Sequence, residues 1–178
     1  MADNSRVNAS KKDRIRVLIT GGTFDKEYDE IRGRLYFKES HVAEMLALGR
    51  CKLDLEIRTL MMIDSLDMRQ PDRDIIVEQC RAADENRIVI THGTDTMEVT
   101  AREIAERVEG KTIVLTGAMI PYKFGSSDGL FNLGSALAFV QTLPPAVYVA
   151  MNGSYFEAER VRKNRETGAF EEKDSRPA

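Results

Sequence analysis

Five short stretches of the 178-residue chain hold the side chains best suited to chemistry. They are Thr20-Gly21-Gly22-Thr23, Asp64-Ser65-Leu66-Asp67-Met68, Thr91-His92-Gly93-Thr94-Asp95-Thr96, Thr116-Gly117-Ala118-Met119 and Asn152-Gly153-Ser154. Hydroxyls dominate, glycines flank two of the threonines, and the carboxylate of Asp95 follows Thr94 directly. A hydroxyl is a weak nucleophile at neutral pH and needs a neighbouring base to act. Each residue also has a plain structural reading. Gly21-Gly22 suits a tight turn, Asp95 a helix cap, His92 a packed histidine, and Lys163 a solvated lysine in a charged tail.

The elements that must position these stretches follow from periodicity. Ile15–Thr20, Leu53–Met61, Arg87–Thr91, Thr112–Thr116 and Ala146–Met151 read as strands, rich in β-branched residues or alternating. Glu39–Leu48 reads as a helix with Val42, Met45 and Leu46 on one face and Gly49 as its stop. Pro71 opens a second helix whose predicted inner face is Ile75, Ile76, Gln79, Cys80 and Ala83. Asp95-x-x-Glu98 is a capping signature for a third helix. Asp128–Thr142 forms a fourth, stopped by Pro144-Pro145.

Strands alternating with helices predict an α/β fold, an open and mostly parallel sheet with helices on both faces, flavodoxin-like or Rossmann-like. The five polar stretches follow the five strands. In such a sheet they share one edge, the carboxyl edge where ligands bind. The expected organisation is a flexible segment over 1–13, an α/β domain over 14–152 and a charged C-terminal arm over 153–178 that carries Lys163. That arm could be a solvated tail, a hairpin or a contact to a partner subunit.

Several classes are excluded. GGTFDKE matches neither dinucleotide nor P-loop fingerprints, and no G-x-S-x-G elbow is present. His41 and His92 have no metal-like spacing, and Cys51 and Cys80 form no metal or CxxC cluster. No metal site is therefore expected. With 26 basic against 29 acidic residues the net charge is −3, which gives no electrostatic case for nucleic acid. No run is long and apolar enough to span a membrane, and no export signal is visible, so a cytoplasmic location is expected.

Taken together, LITGGTF (18–24), DSLDM (64–68), VITHGTDTMEVTA (89–101), LTGAMIP (115–121), SSDGLFNL (126–133), AMN (150–152) and VRKN (161–164) resemble the bacterial-type L-asparaginase family. The resemblance covers roughly residues 14–165 and corresponds to that family's larger N-terminal α/β domain, without its second, C-terminal domain. It implies hydrolysis of the asparagine side-chain amide through an acyl-threonine intermediate, with no cofactor. Thr23 matches the nucleophile. Thr94 matches the second catalytic threonine, with Asp95 and Lys163 as its relay. Tyr36 resembles a loop tyrosine that positions the nucleophile, with Tyr28 as the rival, and residues 24–38 would form a lid.

Ser65 matches the residue that binds the substrate carboxylate, and Asp95 would also hold its amino group. Gly93 and Ala118 complete the expected substrate site, with backbone N–H groups at Thr94 and Ala118 facing the oxyanion. Many members carry Gln after the serine, where this chain has Leu66. The resemblance also implies a homodimer or homotetramer with the site near a subunit interface. Two other readings stand beside asparaginase: hydrolysis of another small primary amide such as glutamine, and a non-catalytic amino-acid-binding module.

Overall fold

The computed structural model describes residues 14–173. The segment expected to be flexible, 1–13, and the last five residues lie outside the described residues. The elements in chain order begin with β1 (Ile15–Gly21), β2 (Lys26–Asp29), β3 (Arg34–Phe37), α1 (Val42–Leu48) and β4 (Leu55–Ile63). They continue with α2 (Gln70–Ala82), β5 (Arg87–Thr91), α3 (Met97–Arg107), β6 (Thr112–Thr116) and α4 (Gly129–Thr142). The last are β7 (Val147–Met151), β8 (Ser154–Glu157), β9 (Val161–Lys163) and β10 (Phe170–Glu172).

The main sheet has the order β4-β1-β5-β6-β7-β8. Its first five strands are parallel, and β8 turns back antiparallel on β7. Counting only the parallel strands, the second-formed lies outside the first and the rest extend the other way. That is the flavodoxin order, and its switch point falls between β1 and β5. The chain goes out from β1 to β4 and then crosses back over β1 to β5, so the connections leaving β1 and β5 run in opposite directions from neighbouring strand ends.

The alternation of side chains along the strands builds two cores. Leu18, Ile88, Ile90, Ile113, Leu115 and Val149 face α2 and α3, where Ile76, Cys80, Met97 and Ile104 meet them. Ile15, Val17, Ile19, Val89, Val114 and Tyr148 face α1 and α4, against Val42, Met45, Leu133 and Val140. Each fully buried aliphatic side chain of this size contributes about 1.5–3 kcal/mol. The sheet is therefore a rigid platform for the loops at its carboxyl edge.

Several local readings shift. Helix α1 starts at Val42 rather than Glu39, because Ser40 and His41 turn their Oγ and backbone N–H to the buried carboxylate of Asp25. Strand β4 starts at Leu55 rather than Leu53. It is an edge strand, so Ile57 is exposed instead of facing a core. In α2, Val77 is buried and Ile75 is exposed, a rotation of the predicted face.

The expected cap at Asp95 does not form: Thr96 stands at the start of α3 and no side-chain cap bond is made. Glu98 is recruited elsewhere, accepting a hydrogen bond from the backbone N–H of Lys163 at 2.9 Å. The charged stretch from residue 153 folds back on the same molecule. Strand β8 joins the sheet, β9 and β10 form a hairpin, and Val161 and Phe170 are buried in the core beside α3.

Candidate functional site

The loops after β1 and β5 touch because both turns are glycine. A Cβ built on Gly22 would lie 2.4 Å from Gly93 N and 2.5 Å from Gly93 Cα. Gly22 also has φ +83°, ψ −174°, a conformation that only glycine adopts readily. A Cβ on Gly93 would lie 2.5 Å from Ser65 Oγ, so the loop after β4 presses on the same turn. A Cβ on Gly117 would lie 2.5 Å from His92 O and 3.2 Å from Thr94 Cγ2, which brings in the loop after β6. The glycines thus let four strand ends stack into one rim, with Thr23, Ser65, Thr94 and Ala118 on it.

Thr94 is the best-defined member. It is buried, and its Oγ1 accepts a hydrogen bond from Lys163 Nζ at 2.8 Å. The same ammonium donates to Asp95 Oδ1, also at 2.8 Å. Only 9% of the Lys163 side chain is exposed. Lysine is almost never buried unless paired, so these partners account for its position. Its backbone is fixed by Glu98 on α3, and the turn after it is closed by Asn164 N to Ala169 O at 2.8 Å.

Beneath Thr94 runs a buried polar chain. Gly93 O can only accept, so His92 Nδ1, 2.8 Å away, carries the proton. His92 Nε2 then accepts from Thr100 Oγ1 at 2.9 Å, and Arg73 Nε donates to Thr100 Oγ1 at 3.2 Å. Burial lowers the His92 pKa to about 4, and the nearby guanidinium of Arg73 adds to that, although the hydrogen bond to Gly93 opposes it. The ring is neutral at pH 7.

The carbonyl of Gly93 is thereby held toward His92. In a planar trans peptide the following N–H, that of Thr94, points the opposite way. The same device recurs after β6: Gly117 O accepts from Asn132 Nδ2 at 2.9 Å, which turns the N–H of Ala118 away. Neither N–H has a protein acceptor among the described residues.

Thr23 sits half-buried in a single 3₁₀ turn, Thr23–Asp25, directly after Gly22. Its hydroxyl makes no side-chain hydrogen bond among the described residues. Ser65 is buried, and its Oγ has no partner. A buried hydroxyl without a partner costs free energy unless a ligand or water meets it. Tyr36 lies on β3 of the β2–β3 hairpin, and its hydroxyl donates to Glu27 Oε2 at 3.2 Å, not to Thr23. Burial and the Glu27 carboxylate both push its phenol upward, so it keeps its proton. Tyr28 is more than half exposed on the same hairpin.

The hairpin occupies the expected lid segment, and it is tethered. Lys26 pairs with Asp64, and Asp25 takes Ser40 Oγ and His41 N at 2.9 Å each. Burial raises the Asp25 pKa against those bonds. Burial also presses upward on Asp64, but the bonds from Lys26 and from Leu66 N outweigh it and hold its carboxyl low. The structure therefore groups Thr94, Asp95 and Lys163 directly and packs Gly93 against Ser65 and Gly22. It sets Tyr36 at one remove, on Glu27.

Sequence reasoning missed Lys26, Glu98 and Asn132. The last two lie within recognised motifs, but their local patterns suggested nothing beyond capping and helix. A separate apolar cavity of about 350 Å³ lies between α1 and α4, lined by Met45, Leu130, Leu133 and Leu137. Its lining is mainly apolar and takes in none of Thr23, Ser65, Thr94, Asp95 or Lys163. No group of three metal-ligating side chains gathers among the described residues. No helix among them is long and apolar enough to cross a membrane.

A flavodoxin-ordered sheet with a hydroxyl, a carboxylate and an amine gathered beside its switch point defines a doubly wound α/β domain with a polar site at its carboxyl edge. The chain belongs to the asparaginase family: residues 14–177 match the family described as "Asparaginase, N-terminal". It is 30% identical over 161 residues to an L-asparaginase of Thermococcus kodakarensis, covering 87% of this chain and 49% of that protein. It is 32% identical over 170 residues to L-asparaginase 1 of Escherichia coli K12, covering 89% and 49%.

Among solved structures, the thermostable L-asparaginase from T. kodakarensis superposes with a TM-score of 0.79 at 30% identity, covering 89% of this chain and 51% of that one. A probable cytoplasmic L-asparaginase from Campylobacter jejuni superposes with 0.80 at 30% identity, covering 92% and 54%. The chain spans about half the length of the curated relatives it matches.

Proposed function

We propose that the protein is an L-asparaginase-type amidohydrolase converting L-asparagine to L-aspartate and ammonia. The observation that carries this reading is the Lys163 ammonium held 2.8 Å from both Thr94 Oγ1 and Asp95 Oδ1. An amine, a hydroxyl and a carboxylate in line make a proton relay.

Thr23 Oγ attacks the side-chain amide carbon. The negative charge that develops on the amide oxygen is met by the N–H groups of Thr94 and Ala118, which their pinned carbonyls leave free. The C–N bond breaks, ammonia departs with the hydroxyl proton, and an acyl-threonine ester remains. A water activated through Thr94, Asp95 and Lys163 then cleaves that ester, releasing aspartate and restoring the Thr23 hydroxyl. Ser65 Oγ binds the substrate carboxylate and Asp95 its ammonium. Gly93 admits the serine to the rim. Tyr36 and Glu27 act through the hairpin by fixing the turn that carries Thr23.

Purified protein incubated with L-asparagine is expected to release ammonia. Thr23→Val and Thr94→Val should each abolish that release. Turnover by either variant at the wild-type rate refutes the assignment. Hydrolysis of glutamine is the second reading, motivated by Leu66, an apolar residue 63% exposed directly after Ser65. The ratio of the two rates decides it. Tight aspartate binding without any ammonia would instead support a binding module.

A homodimer or homotetramer belongs to the proposal. Phe131 and Tyr155, 63% and 47% exposed, give α4 and β8 apolar surface for a second copy. Sedimentation tests that assembly. A cytoplasmic location is supported by the likeness to the C. jejuni protein described as probable cytoplasmic.

A further inference from the structure

Around the rim, contacts close a ring. Gly22 meets Gly93, Gly93 meets Ser65, and Asp64 precedes Ser65. Lys26 pairs with Asp64, and three residues separate Lys26 from the glycine where the ring began. Thr23 lies inside this span. Lys26 thus brings a positive charge between the turn that holds Thr23 and the loop that holds Ser65. Its side chain is 18% exposed and that of Asp64 26%, so the pair is shielded from bulk water while still open to a small molecule.

The hydrogen-bond inventory of this pair leaves donors open on the cationic side. Asp64 Oδ1 accepts from Leu66 N at 2.9 Å and Oδ2 takes Lys26 Nζ, so both its oxygens are engaged. An ammonium has three donors. Lys26 uses one on Asp64 and shows no other hydrogen bond among the described residues. Its contact with the Phe37 ring, 5.9 Å from the centroid, stabilises the charge without occupying a donor in that sense. Next to Asp64, Ser65 Oγ is buried and unpartnered. Two unused ammonium donors and one unused hydroxyl therefore belong to one loop end, the ammonium held on Asp64 and the hydroxyl on the residue directly after it. That set matches a carboxylate, which accepts several hydrogen bonds and binds most strongly to ionised donors.

We propose that Lys26 is a specificity-determining residue that, with Ser65, binds the carboxylate of the substrate and so restricts the site to amides carried on an acid. The inference rests on the amidohydrolase reading above. Asp64 is the positioning partner: it holds the ammonium at the rim and leaves its remaining donors toward the ligand. A role confined to tethering the hairpin would weaken every substrate alike, whereas carboxylate recognition discriminates among them.

The test compares ammonia release from L-asparagine, from succinamate, which lacks the amino group, and from 3-aminopropanamide, which lacks the carboxylate. In Lys26→Met, kcat/KM for asparagine and for succinamate should each fall about 10- to 100-fold relative to that for 3-aminopropanamide. The loss should reside mainly in KM, and Lys26→Arg should recover part of the ratio. Ratios that stay constant across the three amides overturn the proposal and leave the amidohydrolase reading standing.

Calorimetry with L-aspartate separates the remaining cases. If wild type releases no ammonia yet binds aspartate, and Lys26→Met loses that binding, the carboxylate site stands and the hydrolytic reading falls. Equal aspartate affinity in wild type and Lys26→Met overturns the site. If wild type neither releases ammonia nor binds aspartate, both are overturned.

Discussion

The contact between Gly22 and Gly93 holds Thr23 and Thr94 on one rim, and Gly22→Ala tests it. Two separate penalties arise. The first is backbone conformation: φ +83° with ψ −174° is nearly exclusive to glycine, and a non-glycine residue there costs about 1–3 kcal/mol. The second is overlap. The added Cβ would sit 2.4 and 2.5 Å from backbone atoms of Gly93, and a backbone neighbour cannot swing aside as a flexible side chain can. Relief requires the β1 and β5 turns to part by about 1 Å, to reach the ~3.4–4 Å of ordinary carbon contacts. Overpacking of this kind costs about 1–3 kcal/mol more.

The melting temperature should therefore fall by roughly 5–20 °C, at about 2–4 °C per kcal/mol for a domain of this size. A displacement of about 1 Å at the reacting groups should also reduce ammonia release about 100-fold. Gly110→Ala is the matched control: it has φ +73° but nothing within 4 Å of the new Cβ, so only the conformational penalty applies. Thermal unfolding and an ammonia assay on both variants supply the comparison. If Gly22→Ala melts with Gly110→Ala and keeps full activity, the two turns are not in contact and the shared rim is wrong.

Lys163→Met should lower kcat about 10²- to 10⁴-fold while the fold persists, as expected for loss of a proton relay; a smaller drop would remove Lys163 from that relay. His92 should shape acid stability. Its pKa of about 4 in the folded state lies below the unfolded value of ~6.5, so the unfolded chain binds the extra proton. Stability is complete above ~6.5 and falls by about 3 kcal/mol as pH drops toward 4. Asp25 works in the opposite sense, because its raised pKa favours the fold below the ordinary carboxylate value and that gain is lost as pH rises. Denaturant melts across pH 3.5–7 should show the slope change in His92→Gln and the opposite change in Asp25→Asn; unchanged slopes would contradict the burial argument. Gly134→Ala should stabilise the protein by about 0.5–1 kcal/mol, since Gly134 lies inside α4 with open space around the new Cβ. Chemical denaturation reads it, and a destabilised variant would mean that α4 is packed at that face.

What the sequence conveyed and what it withheld divide along one physical line. Strand interiors such as Arg87–Thr91 and Thr112–Thr116 were legible because buried parallel strands need continuous β-branched residues. The polar stretches after them were legible as one edge because parallel strands place all their carboxyl ends together. Strand order was not legible, since it depends on which way each crossover helix leaves the sheet, and no local pattern encodes that.

The errors gather where a charged residue has a local partner in principle but a distant one in fact. Asp95-x-x-Glu98 has the spacing of a cap, yet Glu98 bonds a backbone N–H 65 residues away and Asp95 an ammonium 68 residues away. Ser40 and His41 would have continued α1 toward its predicted start, but the buried Asp25 carboxylate claims them. Lys163 looked solvated because its neighbours are charged, and its burial depends on Val161 and Phe170 anchoring a hairpin that local charge density hides. In each case the departure from local preference lies on or next to the rim. Polar groups there are held by long-range bonds rather than by the secondary structure they belong to, and such departures from local rules are expected where a functional site lies.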